Sequence, residues 1–151
     1  MKKILKKVSI LFLISFSLIG CTSKEQRLLK DVEKCSHINY LTDGKILFSY
    51  SNITGFEDKA GPVYYVLDYS KSDKKDVFIN TYFDKTGSDN EFDTKLREFI
   101  EQEMVGDYAS FDSKYKINFD ARRGTYRRDN LFMIYYPDTD VSYFIYHLWI
   151  P

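Results

Sequence analysis

The chain closes on two runs that are apolar on both faces, Leu131–Tyr136 and Val141–Ile150, joined by Pro137-Asp138-Thr139-Asp140. Two apolar runs flanking a short Pro/Asp turn read as a β-hairpin. A strand at a sheet surface alternates apolar with polar residues, and these two do not. Both therefore belong at the centre of a sheet, with other parts of the chain packed on each face.

Upstream segments offer the flanking strands. Residues 45–50 alternate, placing Ile46, Phe48 and Tyr50 on one expected face. Pro62 opens a Val/Tyr-rich run over 63–69, and 76–83 follows the polar turn Ser70-Lys71-Ser72-Asp73. Tyr115, Ile117 and Phe119 alternate with Lys116, Asn118 and Asp120, the pattern of a strand with one wet face. Tyrosine, phenylalanine, valine and isoleucine dominate these runs, as half-buried strands prefer. Gly44, Gly55 and Gly61 punctuate the loops between them.

Two segments carry helical spacing instead. Thr22 or Ser23 can cap a helix over Lys24–Ser36, with Glu25 and Gln26 three residues on and Leu28, Leu29, Val32 and Cys35 forming its apolar stripe. Ser88 and Glu91 have capping-box spacing ahead of the stripe Phe92, Leu96, Phe99, Ile100 and Met104, and Gly106 sits where a helix terminates. Strands, helix, then strands favours α+β over alternating βαβ units. The expected fold is an antiparallel sheet of about five to six strands with one N-terminal and one central helix packed on it.

The first twenty-one residues have a different character. Lys2, Lys3, Lys6 and Lys7 precede an uncharged apolar run over 8–19, the layout of an export signal. A helix of that length covers about 18 Å, against a hydrocarbon core roughly 30 Å thick. The run ends Leu18-Ile19-Gly20-Cys21. It resembles the lipobox of bacterial lipoprotein precursors. That resemblance implies cleavage between Gly20 and Cys21 and a diacylglycerol on the Cys21 thiol. Two acyl chains hold a protein stably on a bilayer where one does not. The implied organisation is a signal over 1–20 and a single extracytoplasmic domain over 21–151, anchored at Cys21. The membrane is then a partner through the lipid. Thr22, rather than Asp, follows the cysteine, which in two-membrane bacteria resembles an outer-membrane destination, on its inner leaflet.

The whole chain carries 22 basic and 22 acidic side chains. Without the four signal lysines the balance is 18 to 22, a net charge of about −4. Non-specific nucleic-acid binders are basic overall, so nucleic acid is not an expected partner. Lipidation consumes one of the two cysteines, leaving Cys35 with no partner for a disulfide; its helical register with Leu28 and Val32 marks it as a small core residue.

The chemistry-bearing motifs are thin. Asp84-Lys85-Thr86-Gly87 matches the phosphorylated tetrapeptide of P-type ion pumps, but the many spans and nucleotide domain of those proteins have no counterpart here. As a calcium loop it places Asp89 where the sixth-position glycine belongs. His37 and His147 are the only histidines; Cys35 and His37, two apart on a helix, could supply at most a fragment of a zinc site, and His147 in the last strand reads as structural. No Gly-x-Ser-x-Gly elbow occurs. No catalytic residue, cofactor or metal is expected.

One cluster stands out. Arg122, Arg123, Tyr126, Arg127 and Arg128 gather four of six arginines into seven residues of an acidic domain. Arginine forks suit carboxylate and phosphate, and Arg and Tyr are enriched at binding hot spots. The cluster is a candidate contact for a protein partner or for anionic headgroups, against the plainer reading of a solvated loop paired with Asp120 and Asp129. Tyr64, Tyr65, Tyr69, Tyr82, Tyr135, Tyr136, Tyr143 and Tyr146 populate the expected strands. Those left on an outer face would form an aromatic platform with polar tips. The functional expectation is a lipid-anchored binding module of the cell envelope: an inhibitor, an immunity-type protector or an accessory protein. The alternatives are an envelope hydrolase, a small-ligand carrier with a deep pocket, or a purely structural lipoprotein.

Overall fold

The computed structural model describes residues 23–54, 59–83 and 90–150. The lipobox, the Asp84-Lys85-Thr86-Gly87 tetrapeptide and Ser88 lie outside them. Five strands form one antiparallel sheet: β1 (Lys45–Ser51), β2 (Lys59–Asp68), β3 (Gly124–Arg128), β4 (Leu131–Tyr136) and β5 (Val141–Ile150). Their order is β1-β2-β5-β4-β3, which puts β5 in the middle and seats β4 between β5 and β3. The doubly apolar hairpin is thus central, as its composition requires. The fold is α+β.

Side-chain alternation sorts the core into two layers. Val63, Tyr65 and Leu67 of β2, Leu131, Met133 and Tyr135 of β4, and Phe144 and Leu148 of β5 share one layer. Tyr64 and Val66, Phe132, Ile134 and Tyr136, and Tyr143 and Ile145 share the other. Helix α1 (Lys24–Ser36) covers the first layer through Leu29 and Val32, and its N-cap Ser23 accepts a hydrogen bond from the Gln26 amide at 3.1 Å. Helix α3 (Asn90–Glu103) covers the second through Phe92, Leu96, Phe99 and Ile100, followed by the short α4 (Asp107–Ser110). Gly106 has φ +81, a backbone region that glycine enters freely, but it opens α4 as well as following α3.

Four expectations change in three dimensions. Residues 76–83, expected as a strand, lie in helix α2 (Lys75–Tyr82) and its C-cap Phe83. Strand geometry would send Phe78 and Ile79 to opposite faces; a helical turn gathers Phe78, Ile79, Tyr82 and Phe83 onto the first core layer and leaves Val77 in solvent. Phe78 stacks on Tyr69 with centroids 4.5 Å apart, so tertiary packing overrides the local β preference.

Ile46 does not share a face with Phe48 and Tyr50. The β1–β2 register shifts between Ile46 and Phe48, an irregularity of the bulge type that turns Ile46 toward α1 and the two aromatics toward the other layer. Pro62 lies inside β2 rather than at its start. Its carbonyl accepts from Asn52 beyond the end of β1, so its missing N–H faces the side where the ladder has run out. Beside it, a Cβ on Gly61 would meet the Asn52 carbonyl oxygen at 1.9 Å, so this close approach of chain to chain requires glycine. The fourth change, at residues 115–120, shapes the functional site.

Tyrosine is the common filler of both layers, and burial pushes its hydroxyls upward in pKa. Tyr64, Tyr65, Tyr69, Tyr135 and Tyr136 rise well above the usual 10, and Tyr143 rises to about 12. In the unfolded chain tyrosine titrates near 10. Above that pH the unfolded state binds fewer protons than the folded one, so stability is complete below about 10 and falls as pH rises toward 12. Tyrosinate absorbance at 295 nm should therefore lag and then appear together with loss of the far-ultraviolet dichroism. Smooth titration near pH 10 with the dichroism intact would contradict this burial.

Candidate functional site

Past α4 the chain crosses back over the second sheet face as a single irregular segment, with a 3-10 turn at Ser113–Tyr115. The strand expected over 115–120 does not form, although Tyr115, Ile117 and Phe119 do turn toward the core. A lone segment on a sheet face has no neighbour to satisfy its backbone polar groups. Here tyrosine hydroxyls take that role. The Tyr64 hydroxyl donates to the Tyr115 carbonyl at 2.7 Å. The Tyr136 hydroxyl accepts from the Asn118 amide at 3.0 Å and donates to the Asn118 carbonyl at 2.9 Å. The Tyr108 hydroxyl accepts from the Ile117 amide at 3.0 Å, and the Tyr143 hydroxyl lies 3.4 Å from the carbonyls of Lys114 and Lys116.

Three of these tyrosines stand on adjacent strands and hold one another edge to face, with Tyr64 and Tyr136 at 6.0 and 5.4 Å from the Tyr143 ring. The segment is thus a roof tied to the sheet by phenols rather than by a β-ladder. This corrects the expectation of an outward aromatic platform. Both faces are covered, six of the eight tyrosines are buried, and Tyr82 and Tyr146 are half-buried against the first layer.

The arginine cluster is dispersed by strand alternation. Arg123 is only 3% exposed, grips both carboxylate oxygens of Asp93 on α3 at 2.6 and 2.8 Å, and donates to the carbonyls of Phe119 and Ala121. Tyr126 points to the opposite face, against Tyr82 at 5.4 Å. Arg128 donates to the Ser36 carbonyl at the end of α1, where a cation complements the helix dipole. Arg127 reaches Glu91 at 3.4 Å in solvent. The partners are Asp93 and Glu91, not the expected Asp120 and Asp129. Arg122 alone is exposed with no hydrogen bond or ion pair to a described residue.

Arg122 borders a cleft of about 590 Å³ beneath the roof. Its floor is Val66, Val141 and Tyr143, with Leu47 at the β1 edge and Tyr115 and Ala121 above. Lys114, Lys116 and Arg122 stand against one carboxylate, Asp138, among its lining. That volume falls within the roughly 300–1,000 Å³ of small-molecule sites. No spacing in the sequence announced it, because it is assembled from four strands and a roof far apart in the chain.

The remaining candidates have structural placements. His37 caps α1 in a left-handed conformation, φ +54. His147 Nδ1 lies 2.9 Å from a Glu103 carboxylate oxygen, joining β5 to the end of α3. Cys35 is half-buried against the first core layer. Among the described residues no three His, Cys, Asp or Glu side chains converge as a metal site, and no helix is long and apolar enough to cross a membrane.

Two predictions follow from these bonds. Tyr136→Phe strands the Asn118 amide and carbonyl and should cost about 1–3 kcal/mol, with faster hydrogen exchange at Asn118 than at amides of β5. Arg123→Ala leaves the Asp93 carboxylate unpaired and should cost about 3 kcal/mol or more in denaturant titration, whereas Arg122→Ala should lie within about 0.5 kcal/mol of the native protein. No protein-family model, curated protein or solved structure matches this chain.

Proposed function

We propose that the chain is a binding module of the bacterial cell envelope, held on the outer face of a membrane by a diacylated Cys21 and working through the cleft beside Arg122. The cleft is the observation that carries this reading. It combines a ligand-sized volume, largely apolar walls and a free guanidinium, which serve to hold a ligand. Several charged groups elsewhere are engaged in structure: Arg123 with Asp93, Lys75 with Asp140, and His147 with Glu103.

The tether reading rests on the lipobox and on spacing. Ser23 already caps α1, so two residues at most separate the fold from Cys21. Such a short link keeps the domain against the headgroups, unlike the long linkers that let other tethered domains reach away. Of the candidate roles for such a module, ligand holding suits this geometry better than protein capture through the arginine cluster, whose members face two directions.

Intact mass and membrane flotation test the tether. The native protein should begin at Cys21 and carry a diacylglycerol adduct, and Cys21→Ser should lose both the adduct and the cleavage after Gly20. A native protein that retains residues 1–20 without lipid would refute the reading.

A further inference from the structure

We propose that the cleft holds the acyl chain of a free fatty acid drawn from the bilayer, with Arg122 receiving its carboxylate. This rests on the membrane tether proposed above and names the ligand class for the same cleft.

Polarity inside the cleft supports an acyl chain. Tyr136 and Tyr143 would ordinarily offer hydroxyl donors to a ligand, but both hydroxyls are turned to the roof backbone. What they leave for the cleft is ring surface, continuous with Val66, Val141 and Leu47. An aliphatic chain gains free energy with each methylene it buries on such a surface, while a sugar or nucleotide would lose its hydration with few partners in return.

Charge at the rim selects the head. Lys114 pairs with Asp112 at 3.5 Å, and the Lys116 ammonium donates to the Ala109 carbonyl at 2.8 Å. Arg122 makes no bond to any described residue. A free guanidinium fork matches a carboxylate in bidentate geometry. Asp138 on the same rim opposes a second anionic group, which favours a monoanion over a multiply charged head.

Position supplies the route. Leu47 lines the cleft and also shares a shallow depression on the β1 edge with Ser23 and Gln26. Ser23 follows Cys21 by two residues, about 7 Å of chain at full extension. The Leu47 edge of the cleft therefore adjoins the depression that Ser23 lines, and the short tether proposed above would hold that edge of the sheet near the bilayer.

The experiment uses the full mature protein on phosphatidylcholine vesicles containing a small fraction of a diazirine-bearing long-chain fatty acid. After irradiation and digestion, mass spectrometry should find adducts concentrated on peptides carrying Leu47, Tyr115 and Val141. Arg122→Glu should reduce those adducts roughly tenfold, the loss of one charge-assisted contact, while its thermal melt stays unchanged. A phosphatidylcholine bearing the same diazirine should label the cleft peptides far less. Cleft adducts indifferent to Arg122→Glu, equal adducts from the two probes, or none on vesicle-bound protein would each overturn the proposal. Flotation of Cys21→Ser reads the tether separately: if it floats like the native protein, the tether fails while the labelling still reports on the cleft.

Discussion

The bond on which this architecture turns is a phenol hydroxyl meeting an unpaired backbone. Residues 114–118 cross a sheet face with no strand beside them, and an amide or carbonyl left dry there costs more than an ordinary hydrogen bond returns. Tyr64, Tyr108, Tyr136 and Tyr143 remove that cost from below and from the side. Their rings bury apolar surface while their tips meet polar groups, a combination phenylalanine cannot supply. Tyrosine richness, which on a surface would mark an interface, here serves the interior.

The same arrangement explains the cleft. A β-strand added to the sheet would pack its neighbours at the ladder spacing and leave no gap, whereas a roof held off the sheet by the length of a tyrosine leaves space wherever no ring fills it. The phenols that hold the roof have their donors committed, so the space they bound is apolar. Rigidity and lining thus share one cause. Arg123 secures the far end of the roof by binding the Phe119 and Ala121 carbonyls while clamping Asp93, which joins the roof to α3. Its neighbour Arg122 is left outward on the cleft rim because consecutive residues leave the chain in different directions.

If the proposed tether holds, a domain with a largely apolar cleft is suited to ligands that partition into membranes. The depression lined by both Ser23 and Leu47 and the guanidinium of Arg122 on the cleft rim, unpaired among the described residues, bear separately on that reading. The arginine cluster, conspicuous as text, divides its labour: Arg123 and Arg128 build structure, Tyr126 packs against the first core layer, and Arg122 stays exposed on the cleft rim.

Much of the fold was legible from periodicity. The doubly apolar hairpin demanded a covered central position, and the capped stripe over Lys24–Ser36 and that from Phe92 to Ile100 specified two helices, because these patterns record burial directly. Residues 76–83 read as a strand from their Val, Phe, Ile and Tyr content and 115–120 from their alternation, and each pattern satisfies more than one geometry. Only the rings of Tyr69 and Tyr126 select a helix for the first, and only the tyrosine hydroxyls permit an unpaired crossing for the second. The sequence by itself determined which segments must be buried, and the lipobox resemblance named Cys21 as the anchor to be tested. The tertiary structure decided the cleft and the fate of each arginine, since both depend on contacts between residues tens of positions apart that no local pattern encodes.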